Sequence, residues 1–183
     1  YIGTIGLANG VEYIPYLSKE LNKQKNAPKV IFTIVGDGKF REEIENLSRD
    51  LGLLNKTVFL KGAKPKKEIP KWLSSSHATI MTYDGPKVVF QDSVSNKFFD
   101  SIAAGRPVIA NFEGFSTKLA VDNNAGIILP KDDYQKAAGI LLRHLDKEWL
   151  TNAGHNARRL AKEKFDRDKL AKDFEQVLLS ACK

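Results

Sequence analysis

Cysteine is nearly missing: a single residue, Cys182, in a chain of 183. One thiol closes no intramolecular disulfide and builds no cysteine-based metal cluster, which suits a reducing, cytoplasmic setting. Long apolar runs are missing as well. Nothing approaches the roughly 18–20 consecutive apolar residues that a membrane span needs. The three histidines, His77, His144 and His155, are scattered and have no second ligand at a metal-binding spacing, so no metal and no cofactor is expected. Neither a Ser-His-Asp nor a Cys-His order assembles, and no G-x-x-x-x-G-K-[ST] loop occurs. Internal repeats, low-complexity tracts and dividing linkers are absent. With 42% hydrophobic and 28% charged residues, residues 1–183 are expected to form one ordinary globular domain.

Positive charge is in excess, with 29 Lys+Arg against 22 Asp+Glu and a formal net charge of +7. Such a balance suits phosphate groups, nucleic acid or the anionic inner face of a membrane. The densest segment is KGAKPKKEIPKW, where Lys61, Lys64, Lys66, Lys67 and Lys71 form either a solvated face or a surface that leans on a membrane. No aromatic residues interleave the charge as in a nucleic-acid module, so RNA and DNA are not expected partners. The chain opens at Tyr1 directly in a strand pattern, and is expected to be a piece of a longer protein that holds the rest of the site.

Short β-rich runs at 1–5, 30–35, 57–60, 78–82, 108–110 and 126–129 alternate with amphipathic helical stretches. That alternation predicts parallel βαβ units in an α/β, Rossmann-like, doubly wound sheet of about six strands with helices on both faces. The clearest helix is 39–51, where Phe40, Ile44, Leu47 and Leu51 recur at helical spacing and Gly52 ends the run. Another, near 10–21, buries Ile14, Leu17 and Leu21. Two or three helices fill the tail from Asp132, with a stop and restart in EKFDRDKLA. Trp72 and Trp149 lie on helical patterns as packing residues. Doubly wound sheets bind ligands beyond the carboxyl ends of their strands, which singles out the loops GLANG, GDGK, KGAKPKK, YDGPKVVFQDSVSNK and NFEGFSTK.

Three of these carry candidate chemistry. In GTIGLANG, Gly3, Gly6 and Gly10 let a backbone approach a phosphate at a helix N-terminus, or simply form a tight turn. In GDGK, Gly36 and Gly38 turn the chain, and Asp37 either caps the following helix or meets a ribose. The richest is DSVSNKFFDSIAAGRPVIA. Ser95 is placed to cap a helix that buries Phe98, Phe99 and Ile102, with Gly105 as its stop and Pro107 beyond. The free N–H groups near Asn96 and Lys97, with the Lys97 ammonium, would then hold a diphosphate. Asp100 lies one turn inside, within reach of the hydroxyl groups of whatever carries that phosphate, and Asp92 precedes the helix, near a second polyol. The competing reading makes Lys97 and Asp100 a surface i,i+3 pair and Asp92 a loop acid. Asp166-Arg167-Asp168, a metal-holding pattern elsewhere, sits in the helical tail, where N-capping accounts for it.

The run IVGDGKFREEIENLSRDLGLLNKTVFLKG, then Asp92 through Ala110, and finally NARRLAKEKFDRDKLAKDFEQVL resemble, over essentially the whole chain, the nucleotide-sugar-binding C-terminal domain of family 4 glycosyltransferases. These have the GT-B fold. The stretch NKFFD-x-x-AAG-[KR]-PVI is similar to that of a bacterial subgroup that transfers L-fucosamine-type sugars in surface polysaccharide synthesis. The resemblance implies transfer of a sugar from a nucleoside diphosphate sugar, UDP-linked, to a polysaccharide or lipid-linked acceptor, with retention of configuration and no essential metal. It also implies an N-terminal domain that carries the acceptor site, without which residues 1–183 bind nucleotide weakly and do not turn over.

The family's pattern of two acids with seven residues between them falls on Asp92, toward the donor sugar, and Asp100, toward the ribose. Ser93, Ser95, Asn96, Lys97 and Phe98 belong to the diphosphate-binding stretch between them. Gly62 and Ala63 match the backbone that meets the base, and Glu113-Gly114 a loop near the donor. Thr4 and Asn9 stand where most members have an Arg and a Lys for the diphosphate; Gly6, Gly10 and Gly36 line the same mouth. With those two cations replaced, Lys97 is expected to serve in their stead. The alternatives are one half of a nucleotide-sugar 2-epimerase, which would need acids and a histidine converging on the sugar ring, and a degenerate nucleotide-binding module.

Overall fold

Five short apolar runs lie parallel, each reached from the last through a helix. They are β1 (Phe32–Val35), β2 (Val58–Lys61), β3 (Thr79–Met81), β4 (Val108–Ala110) and β5 (Gly126–Ile128), in a computed structural model that describes residues 1–181. Cys182 lies outside the described residues. β1 pairs with β2, and β3, β4 and β5 form a second sheet in that order. Phe32 stands beside Val58, and Thr79 beside Val108, which in turn faces Gly126. Parallel ladders need crossovers. The chain supplies α2 (Arg41–Asp50), α3 (Ile69–Ser74), α4 (Lys87–Phe90), α5 (Asn96–Ala103) and α6 (Phe115–Asp122) between strands. α1 (Tyr13–Asn22) precedes β1, and α7 (Tyr134–Leu142), α8 (Lys147–Lys164) and α9 (Arg167–Ala181) make the helical tail. The class is the expected Rossmann-like α/β one.

The first expected strand is the exception. Residues 1–5 run along the free edge of β1, with Val35 N–H donating to the Tyr1 carbonyl (2.8 Å), Gly3 N–H to that of Val35 (2.9 Å) and Ile5 N–H to that of Asp37 (2.9 Å). Only Ile2 and Val35 make a regular bridge. Gly3 and Gly36 meet at φ of +150° and +155°, outside the strand region of L-residues, which interrupts the ladder where the two backbones touch.

Other boundaries move for local reasons. α1 begins at Tyr13 rather than at residue 10, because residues 7–9 form a 3₁₀ turn that Gly10 closes at φ +54°. α2 begins at Arg41, and Asp37 does not cap it: the carboxylate accepts from its neighbour Gly38 N–H at 2.8 Å instead. Gly52, at φ +68°, ends α2 as expected. At the start of α9, Asp166 accepts from the N–H groups of Asp168 (3.1 Å) and Lys169 (3.0 Å), the capping role.

Two apolar clusters hold the layers together. One joins Ile14, Leu17 and Leu21 of α1 to Ile34, Val58 and Leu141. The other packs Phe98 and Ile102 of α5 against Val108, Ala157 and Leu160. Phe98 is fully buried, which contributes about 1.5–3 kcal/mol relative to an exposed ring. Phe99 is half-buried, edge-on to Phe165 with ring centroids 5.0 Å apart. Trp72 and Trp149 are half-buried on helices. This packing fixes α5 with its N-terminus at the carboxyl ends of the strands.

Candidate functional site

The loops beyond the strands are tied to one another at that end. Asp84 N–H donates to the Ala8 carbonyl (3.1 Å), and the Thr82 hydroxyl to that of Asn9 (2.6 Å). Buried Asn111, just past β4, accepts from Tyr83 N–H (2.8 Å) and donates its amide N–H to the Tyr83 carbonyl (3.2 Å). Lys131, after β5, pairs with Asp84 at 2.5 Å, and Phe115 N–H bonds the Gln91 carbonyl at 2.7 Å. A side chain on Gly10 would crowd the backbone of Tyr83 and Asp84, so its role is close packing of two loops.

α5 opens into this ring of loops. Ser95 occupies the N-cap position with extended backbone, yet its hydroxyl makes no capping bond. Among the described residues the N–H groups of Asn96 and Lys97 donate to nothing. A helix start in that condition carries partial positive charge and open donors. Lys97 adds a full charge. Its stem crosses Gly3 so closely that a Cβ there would overlap Lys97 Cε, and its ammonium lies 5.1 Å from the centroid of the Tyr1 ring. With the Asn9 amide turned so that its N–H₂ donates to the Thr4 carbonyl (3.0 Å), its oxygen accepts from Lys97 Nζ at 3.0 Å. Burial pushes the Lys97 ammonium below the ordinary lysine range. Among the described residues Lys97 is within 4 Å of no carboxylate, so the i,i+3 pairing with Asp100 does not form.

The candidate residues divide into two groups. Thr4, Ala63, Asp92, Ser93, Ser95, Asn96 and Asp100 are exposed, while Gly6, Gly62 and Lys97 are partly so. Lys97 and Asp100 also flank a gap of about 20 Å³ against Ile69 and Leu73, room for roughly one water. Phe98 and Gly36 belong to the interior. The Phe98 ring is in the core and its N–H donates to the Ser95 carbonyl at 3.0 Å, which corrects its expected place among outward-facing amides. Gly36 is buried, its N–H donates to the Lys61 carbonyl (3.1 Å), and a Cβ would overlap the Gly3 carbonyl. Glu113 is exposed, and Gly114 is the N-cap of α6, its N–H donating to the Thr117 hydroxyl at 2.9 Å.

Motif reasoning missed Asn9 and Tyr1 as neighbours of Lys97. No local signal links residues so far apart in sequence; only the fold of the first loop against α5 brings them together. The five lysines of the KGAKPKKEIPKW segment are all exposed. A cavity of about 1340 Å³ runs between β1 and β3, past Phe32, Val35, Ala78, Ile80 and Gly105, and no candidate residue lines it. No helix among the described residues is long and apolar enough to cross a membrane, and no group of three or more His, Cys, Asp or Glu side chains among them converges as a metal site.

A family model described as "Glycosyl transferases group 1" matches residues 1–147. An uncharacterized glycosyltransferase, MJ1607 of Methanocaldococcus jannaschii, is 27% identical over 97% of the chain and 43% of its own length. The amylovoran biosynthesis glycosyltransferase AmsK of Erwinia amylovora is 27% identical over 61% of the chain and 27% of its own. The chain therefore spans less than half the length of these curated relatives. Among solved structures, Anabaena HepE in complex with UDP superposes with a TM-score of 0.77 at 20% identity, over 98% of this chain and 48% of that one, a likeness of fold.

Proposed function

Since the chain belongs to the group 1 glycosyl transferases, we propose that it is the donor-binding domain of a family 4, GT-B glycosyltransferase and takes a UDP-linked sugar. The observation that carries this reading is the mouth of α5, where two N–H groups are unbonded and the Lys97 ammonium of the same first turn lies against the first loop. A diphosphate accepts from all three, and a leaving diphosphate so held is stabilised as its charge develops. Asp100, exposed one turn into the helix, meets the ribose hydroxyls. Asp92, in the loop before α5, turns toward the donor sugar, and the open backbone at Gly62 and Ala63 meets the base. Ser93, Ser95, Thr4 and Gly6 complete the polar rim.

In this proposal transfer proceeds with retention and without an essential metal, and an N-terminal domain of the same protein supplies the acceptor site and closes over the donor. The acceptor is a polysaccharide or lipid-linked chain, in keeping with a relative named for amylovoran biosynthesis. The L-fucosamine-type subgroup is the working assignment. The exposed lysines between Lys61 and Lys71 suit an anionic inner-membrane surface where such an acceptor would lie. A thermal-shift screen of UDP, GDP and inorganic phosphate against wild type, Lys97→Ala and Asp100→Ala tests the placement. UDP is expected to raise the melting temperature of wild type and to lose most of that effect in Lys97→Ala; an undiminished UDP shift in that variant would remove the diphosphate from the mouth of α5.

A further inference from the structure

The cradle around Lys97 is held from two sides. On one, the Thr4 carbonyl accepts both the Tyr1 hydroxyl (2.6 Å) and the Asn9 amide N–H₂ (3.0 Å). On the other, the Thr82 hydroxyl donates to the Asn9 carbonyl at 2.6 Å, at the end of a strand that Asn111 fixes through Tyr83. The backbone and the amide of Asn9 are both anchored, and the amide oxygen is left for the ammonium. Gly3 beneath leaves room for the lysine stem and for no other side chain.

We propose that Asn9 is a positioning residue for donor binding: anchored on Thr4 and Thr82, its amide holds the Lys97 ammonium over Gly3 and so sets where the diphosphate lands. This rests on the reading of Lys97 as the diphosphate cation. An ammonium has three N–H donors. One goes to Asn9, and the other two remain for phosphate oxygens. A lysine free in solvent must give up rotamer freedom when it meets its ligand, whereas one already held loses less. Charge complementarity also makes position 9 the partner of position 97. A neutral amide accommodates the ammonium; a second cation in the same space would repel it, but could replace it if Lys97 were removed.

Calorimetry with UDP and uridine on the 183-residue protein tests this, because the ratio of the two affinities isolates the diphosphate contribution. Asn9→Ala is expected to lower the UDP-to-uridine ratio by about 3–10-fold, the size of one ordinary hydrogen bond, with uridine affinity unchanged. Asn9→Ser serves as a second, smaller polar truncation should Asn9→Ala fail to fold. Asn9→Lys alone is expected to bind UDP less well than wild type. The double variant Asn9→Lys/Lys97→Ala is expected to recover the ratio above that of Lys97→Ala alone, a non-additivity that a merely structural asparagine would not produce. If Lys97→Ala lowers the ratio while Asn9→Ala and Asn9→Ser leave it unchanged, the positioning role is wrong and the diphosphate reading stands. If Lys97→Ala also leaves it unchanged, both fall.

Discussion

The two ends of α5 are built to opposite specifications. At the C-terminal end every device seals the helix. Gly105 takes the left-handed conformation at φ +65°, its N–H bonds the Ile102 carbonyl at 3.0 Å, and Gly154 of α8 packs so closely that a Cβ there would lie 2.7 Å from the Gly105 carbonyl oxygen. Arg158 donates to the Ala103 carbonyl, and Arg106 N–H to that of Ser101 at 3.0 Å. At the N-terminal end the cap hydroxyl is unused and two N–H groups are unbonded, while the lysine beside them is held by a loop far away in sequence. The same eight-residue helix is thus a packing element at one end and a set of waiting donors at the other. Helix ends are normally satisfied, so the end left unsatisfied is the one with room for a ligand.

That contrast can be broken in order of size. Phe98→Ala empties the core between the two ends and should destabilise the protein by about 3–5 kcal/mol, read by urea denaturation; a loss under 1 kcal/mol would mean that α5 is not pinned by its centre. Lys97→Ala should cost UDP about 10–30-fold in affinity, about 1.4–2 kcal/mol, with the melting temperature of the free protein nearly unchanged, and Lys97→Arg should retain part of the binding. Gly105→Ala should do the reverse. The left-handed conformation costs an L-residue about 1–2 kcal/mol, and UDP affinity should stay within about 2-fold. Were Gly105→Ala to weaken UDP as strongly as Lys97→Ala, the two ends would not be separable.

Acidity sharpens the ligand end. Charged Lys97 is the binding form, so the UDP-to-uridine ratio should fall as pH rises through its pKa. Burial has lowered that pKa below 10.5, so the fall should begin at a lower pH than for an exposed lysine, and Lys97→Arg should flatten it, because a guanidinium stays charged. The smallest effect concerns Ser95. An N-cap serine in use contributes typically about 1 kcal/mol, but this one makes no capping bond. Ser95→Ala should therefore change stability by less than about 0.5 kcal/mol, and a larger loss would show that the N-terminal end is capped after all.

Local chemistry was legible wherever a residue's role depends on its immediate neighbours. β4 ran from Val108 to Ala110 as expected, Gly52 and Gly105 ended their helices at positive φ, and Asp166 capped the last helix. What failed was reasoning about positions settled by a distant backbone. Residues 1–5 carry an apolar strand pattern, but their pairing depends on how Gly3 meets Gly36. Asp37 has the residue type of a cap, and the loop turns it to Gly38 instead.

By itself the amino-acid sequence determined the alternation of strand and helix, the Rossmann-like class, and the helix that begins at Asn96 with a lysine at its mouth, because periodicity, glycine placement and charge act over a few residues at a time. Only the tertiary structure decided that Lys97 turns away from Asp100, three positions along its own helix, toward Asn9, 88 positions back in the chain. The reason is physical: Gly3 leaves a channel for the lysine stem, and an amide held by Thr4 offers the half-buried lysine a hydrogen bond beside the Tyr1 ring.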